Sequence, residues 1–137
     1  MAGIALGILA GCDSHRPPAG PSLAKAYPVH GKVSFAGGTP LKGGIITFVP
    51  NVIEVGRELR FEGSGLVDAS GNYKVGLAGI DGGIAAGDYK VVVEPRDYRE
   101  LKNSNSSKIP NKYRNKVETP LTATVKEEEN VFNFELK

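Results

Sequence analysis

Nowhere in this chain does an apolar pattern keep the helical period for ten residues, whereas short β-branched runs recur between 18 glycines and 9 prolines. That punctuation restricts the chain to short strands joined by turns, an all-β fold. Val29 to Phe35 sets Val29, Gly31, Val33 and Phe35 against His30, Lys32 and Ser34, one buried face and one wet face. The Gly37-Gly38-Thr39-Pro40 turn follows, then the apolar run Ile45 to Val49, which Pro50 ends because proline cannot donate to a ladder. Leu59 to Val67 is a weaker strand in which Gly63 and Gly65 point to a bulge or a close approach. Asp68-Ala69-Ser70-Gly71-Asn72 reads as a turn, with Asp68 bonding its downstream backbone and Gly71 at positive φ, and Tyr73 to Leu77 returns as the partner strand. Asp88 to Glu94 sets Tyr89, Val91 and Val93 opposite Lys90, Val92 and Glu94, and Pro95 stops it. Leu121 to Val125 and Val131 to Leu136 close the chain. Seven strands in about 110 residues are the count and spacing of an antiparallel β-sandwich.

The first 26 residues are composed differently. Residues 1–11 hold Ile4, Leu6, Ile8 and Leu9 among Ala and Gly, too short a run for a membrane-spanning helix, which takes ~20 apolar residues. The run ends in Leu9-Ala10-Gly11-Cys12, and Cys12 is the one cysteine of the chain. These four residues resemble the lipobox of bacterial lipoproteins. The resemblance implies cleavage before Cys12, acylation of its sulfur and a membrane anchor of more than one acyl chain, enough for stable attachment. Apolar signals normally open with positive charge, and none precedes Ile4, so coding sequence upstream of Met1 is expected. Residues 12–26 carry Pro17, Pro18 and Pro21 with Ala, Gly and Ser and read as a disordered tether. Asp13 resembles the residue that retains some lipoproteins in the inner membrane, although the choice of membrane stays open. The sandwich is expected over residues 27–137.

Within that domain, Val29-His30-Gly31-Lys32-Val33, Gly38-Thr39-Pro40-Leu41, Asp68-Ala69-Ser70-Gly71-Asn72-Tyr73 and Gly87-Asp88-Tyr89-Lys90-Val91 follow one another in the order of the carboxypeptidase regulatory-like domain. The chain resembles that family, which implies a transthyretin-like (prealbumin-like) Greek-key sandwich in an extracytoplasmic setting. The tail from Ile109-Pro110 to Phe134-Glu135-Leu136 is similar to that of small lipoproteins of planctomycetes. Such domains serve many roles, and fold does not fix function.

No catalytic constellation is legible. The transthyretin-like hydrolase of 5-hydroxyisourate needs several histidines and a Tyr-Arg-Gly-Ser terminus, whereas this chain has only His15 and His30 and ends Phe134-Glu135-Leu136-Lys137. His30 falls on the wet phase of its strand and reads as a solvated histidine. A Gly-x-Ser-x-Gly elbow is absent from the sequence. Asp68, Ser70 and Asn72 place oxygens at alternating positions, a faint calcium pattern, but the turn already accounts for all three. Asp81 and Asp88 would join such a site only if their loops converged on it. The reading therefore assigns no metal, no cofactor and no catalytic residue.

A net charge of +2, from 17 basic and 15 acidic residues, argues against a nucleic-acid partner. The uneven stretch is the long connection from Arg96 to Val117. Residues 96–116 carry seven basic and two acidic side chains, a local +5 that leaves the rest of the chain at −3. Long loops in small domains tend to be functional or disordered. The plain reading, a solvated loop with a disordered Asn103–Ser107 middle and Ile109 and Tyr113 pinned to the sandwich edge, is preferred. If the loop binds, the residues are Arg96, Tyr98, Arg99, Lys108, Lys112, Tyr113 and Arg114, against anionic headgroups, an envelope protein or a polysaccharide. Lys126-Glu127-Glu128-Glu129 reads as a charged hairpin tip.

The sum is a membrane-anchored, non-catalytic interaction or structural module of the cell envelope. The alternatives are a carbohydrate- or calcium-binding module and, disfavoured, a hydrolase. Carbohydrate binding is weakened by the absence of Trp. Open sheet edges allow a dimer as well as a monomer.

Overall fold

Phe48 marks the centre of the molecule, because four aromatic rings from both of its main sheets meet there. Its ring centroid lies 6.0–6.3 Å from those of Tyr73, Tyr89, Phe132 and Phe134. The computed structural model describes residues 22–77, 82–96 and 102–137. Among them there is no α-helix.

The chain opens with β1 (Ser22–Leu23), β2 (Ala26–Tyr27) and β3 (Val29–Phe35), followed by β4 (Ile45–Pro50). A small hairpin, β5 (Glu54–Val55) and β6 (Glu58–Leu59), precedes β7 (Gly63–Leu66), β8 (Asn72–Lys74) and β9 (Gly76–Leu77). Then come β10 (Ile84–Ala85), β11 (Gly87–Glu94), β12 (Thr122–Val125), β13 (Asn130–Val131) and β14 (Phe134–Leu136). One sheet has the order β12-β11-β4-β7-β9 and is antiparallel throughout. In the other, β3 is central, with β8 antiparallel on one side and β13 and β14 parallel on the other. The last strand, β14, therefore runs parallel to β3, where an all-antiparallel sandwich was expected.

The two sheets face one another because their alternating residues are apolar on the inner side. Val29 and Val33 of β3, Ile46 and Phe48 of β4, Tyr89, Val91 and Val93 of β11, and Val125 of β12 form one buried cluster. Val92 points to the face opposite Val91 and Val93 and is nevertheless buried, sharing a cleft with Thr47, Arg114 and Lys116. The long loop covers a face that alternation alone had left wet.

Two glycines act as expected, by allowing close approach. A Cβ on Gly65 would lie 2.0 Å from the carbonyl oxygen of Lys74, and one on Gly63 would lie 2.3 Å from Ile84. That crossing changes the reading of Tyr73 to Leu77, because the segment is not one strand. β8 pairs with β3, the chain shifts at Val75, and β9 pairs with β7 in the other sheet. The Leu59–Val67 strand also shortens to β7, since Leu59 pairs with Glu54 in the hairpin.

Asp68 Oδ1 accepts hydrogen bonds from the amides of Ser70 (2.8 Å) and Asn72 (2.9 Å), and Gly71 has φ +87°. The turn is the one the sequence specified. The Lys126–Glu129 segment, by contrast, is not a hairpin tip, because it carries the chain from β12 in one sheet to β13 in the other. Asn130 holds this crossover. Its Oδ1 accepts from Lys126 N (2.8 Å), and its Nδ2 donates to the carbonyls of Glu128 (2.7 Å), Lys126 (3.0 Å) and Pro28 (3.3 Å).

The first described residue, Ser22, is already paired, inside the segment expected as tether. Ser22 N donates to Arg57 O and Ala24 N to Leu59 O, so β1 adds to the hairpin in the order β1-β6-β5. β2 is held antiparallel to β10.

Candidate functional site

The described part of the basic connection, residues 102–117, is a packed clasp, with short 3-10 turns at Ser106–Lys108 and Asn111–Arg114. Its Ser/Asn-rich middle, expected to be disordered, is fastened to the segment after β3. Asn105 Oδ1 accepts from Lys42 N (2.7 Å), Asn105 Nδ2 donates to Pro40 O (3.1 Å), and Ser104 Oγ donates to Lys42 O (2.6 Å). The short polar side chains that read as disorder are in fact the fasteners, supplying partners to backbone groups that would otherwise lack them.

The clasp divides the expected binding set. Tyr113 is buried, and its hydroxyl accepts from Lys137 N at 2.7 Å, so it ties the loop to the C-terminal residue and offers no face to a ligand. Ile109 is buried in the same cluster, as expected. Arg114 donates from Nε to Ile109 O (2.9 Å) and from Nη2 to Ser107 O (3.0 Å), so its guanidinium closes the loop on itself. Arg96, Lys108 and Lys112 are exposed, with Lys112 Nζ 5.1 Å from the Tyr113 ring centroid. Cys12, Tyr98 and Arg99 lie outside the described residues, as do His15 and Asp81.

A second grouping was not legible in the sequence. His30 Nε2 lies 2.8 Å from Glu129 Oε1, bringing together residues 99 positions apart, and Lys74 is the cross-strand neighbour of His30. Two open grooves flank them. One, of about 610 Å³, is lined by His30, Gly31, Leu66, Asp68, Asn72, Tyr73 and Lys74. The other, of about 440 Å³, adds Pro28, Val75, Gly83 and Glu129. The Asn130-bound crossover sets Glu129 over β3, so the pair depends on the one residue that fixes that turn.

The chemistry available there is modest. The His30 and Glu129 side chains are 37% and 68% exposed, and a polar contact so open to water is worth about 0–1 kcal/mol. Asp68 is engaged by two amides, and the Tyr73 hydroxyl donates to Phe132 O at 2.6 Å. No Ser, Thr or Cys lines either groove, and among the described residues no three His, Cys, Asp or Glu side chains converge. Burial raises the Tyr73 hydroxyl well above the ordinary tyrosine range. It also pushes Tyr89 up to about 12, opposed in part by the charge of Arg60. Both hydroxyls are locked as donors, Tyr89 to Ala85 O at 2.6 Å.

Comparison of the chain with protein-family models, with curated proteins and with solved structures gave no match.

Proposed function

We propose that this chain is a lipid-anchored, non-catalytic β-sandwich acting as an interaction or structural module on the extracytoplasmic side of a bacterial membrane. The observation that carries the reading is Leu9-Ala10-Gly11-Cys12, a short apolar run ending in small residues and the chain's single cysteine, followed by a proline-rich stretch. The site geometry favours a module over an enzyme, because the grooves at His30 are open and the Tyr73 hydroxyl and the Asp68 and Glu129 carboxylates that line them already have partners.

We further propose a transthyretin-like, carboxypeptidase regulatory-like sandwich, on the order of the turn motifs in the sequence. Taking β3, β4, β7, β8, β11, β12 and the broken strand β13/β14 as seven principal strands, the first pairs with the fourth and the seventh. An immunoglobulin sandwich instead groups its first strand with the second, fifth and fourth, so that arrangement is not the one observed.

Fractionation of a bacterial host tests the anchor. The full chain is expected in the membrane fraction, and Cys12→Ser is expected to release it. A wild-type chain that stays soluble would overturn the reading.

A further inference from the structure

We propose that the ribbon formed by β1, β6 and β5 is seated in the interfacial layer of the bilayer to which Cys12 is anchored. This rests on the lipoprotein reading above and adds the surface through which the domain meets the lipid.

The ribbon is a small sheet of its own, apart from the two main sheets and joined to them at its base by Arg60 Nε, which donates to Ala86 O at 2.9 Å. Val55 pairs with Glu58 around Gly56-Arg57, a two-residue turn that Gly56 permits with φ +64°. Eight large hydrophobic side chains are exposed among the described residues, and five of them lie in or beside this feature, each 46–60% exposed: Leu23 and Val55 in its strands, Val52 and Ile53 just before β5, and Phe61 just after β6. Singly exposed apolar residues need no explanation, but a cluster does. Register divides them between two faces. Leu23 lies beside Leu59 in the pairing, whereas Val55 lies beside Glu58, one residue out of phase and hence on the opposite side. Val52 and Val55 border a small cleft with Arg60, Ala86 and Asp88 and stay half exposed there, while Leu23 is exposed on the other face, so the ribbon offers apolar groups to its surroundings on both sides.

The tether selects those surroundings. The chain joins the ribbon at Ser22, ten residues after Cys12. Ten extended residues span at most ~35 Å, so the anchor keeps this end of the domain near the lipid. Charge is balanced here, with Glu54, Glu58 and Glu62 against Lys25, Arg57 and Arg60, so seating needs no anionic lipid. Among the described residues β1 and β5 are the edge strands of this sheet, and open strand edges do not enter the hydrocarbon, so the ribbon is held at headgroup depth. Amphipathic segments at that depth bury their apolar groups ~5–10 Å into the boundary.

The test uses the acylated full chain in phosphatidylcholine vesicles, with Val55→Cys carrying an environment-sensitive NBD probe. On the anchor reading Cys12 is a thioether, leaving the new thiol free to label. Thr39→Cys, in the exposed turn after the far end of β3, is the control. The expected result is a blue-shifted Val55 probe quenched by nitroxide-labelled lipid, with the Thr39 probe water-like. A water-like Val55 probe on protein that floats with the vesicles would overturn the proposal while leaving the anchor intact. A blue-shifted probe that nitroxide lipid does not quench would place the ribbon against a second copy and overturn it as well. Protein that carries no acyl chain and does not float would bring down the anchor reading, and the proposal with it.

Discussion

The Tyr73 hydroxyl reaches across Gly31 to donate a 2.6 Å hydrogen bond to the carbonyl of Phe132, joining the three strands of one sheet through a single side chain. Tyr73 is the cross-strand partner of Gly31, and a Cβ on Gly31 would sit 1.8 Å from the Phe132 oxygen. The glycine gives the ring its path, and the ring covers the glycine. This contact lies where the last strand breaks, at Phe132 and Asn133. There Asn133 Oδ1 takes the ladder position opposite Lys32 N at 3.0 Å.

Tyr73→Phe leaves the Phe132 carbonyl without its donor and is expected to cost about 1–3 kcal/mol. Gly31→Ala drives a methyl into the same carbonyl and is expected to cost more, ~3 kcal/mol or above. Urea unfolding of both variants checks the order. Equal costs would mean the strand shifts to admit the methyl.

Alkali should unfold the domain through its buried tyrosines. Both hydroxyls have folded pKa values above the unfolded value near 10, Tyr89 at about 12 and Tyr73 higher through burial. Their contribution is therefore complete below pH 10 and is lost as pH rises through the folded values, at about 1.4 kcal/mol per pH unit for each group. Melting temperature followed from pH 7 to 12 should be unaffected by these groups up to about pH 10 and then fall, and Tyr89→Phe should lessen the fall.

Asn130 is expected to be the least replaceable polar residue, since four hydrogen bonds at the crossover end on its amide. Asn130→Asp keeps the shape but turns a carboxylate toward the carbonyls of Lys126, Glu128 and Pro28. It should cost about 3 kcal/mol, more than Asn130→Ala, with chemical denaturation as the measurement.

The clasp separates its basic residues into two kinds. Arg114→Ala removes both bonds that close the loop and should lose about 1–3 kcal/mol. Ile109→Ala, in the core, should lose about 2–5 kcal/mol. Lys108→Ala and Lys112→Ala should stay within about 0.5 kcal/mol of wild type. Thermal melts of the four variants test this division.

Local chemistry was readable where it decides the structure locally. Asp68 and Gly71 specified their turn, alternation placed Val29, Val33, Tyr89, Val91 and Val93 inside, and Gly63 and Gly65 announced a close approach. What alternation does not carry is which strand lies beside which. The parallel pairing of β14 with β3, the shift of sheet at Val75 and the meeting of His30 with Glu129 join residues far apart in the chain. The clasp was misjudged for a related reason. Asn103 to Ser107 has the composition of a free loop, and only the backbone of Pro40 and Lys42, brought alongside by the fold, gives those side chains their partners. The exposed ribbon of Val52, Ile53 and Val55 carried a signal that strand assignment had no use for, an apolar run without an inward face.

Intact mass of the protein recovered from bacterial cells, together with its partition into detergent, reads the lipid anchor itself. The expected species is a chain beginning at Cys12, heavier than its sequence by acyl groups and found in the detergent phase. An unmodified chain in the aqueous phase, with the Cys12 thiol free to react, would contradict the anchor.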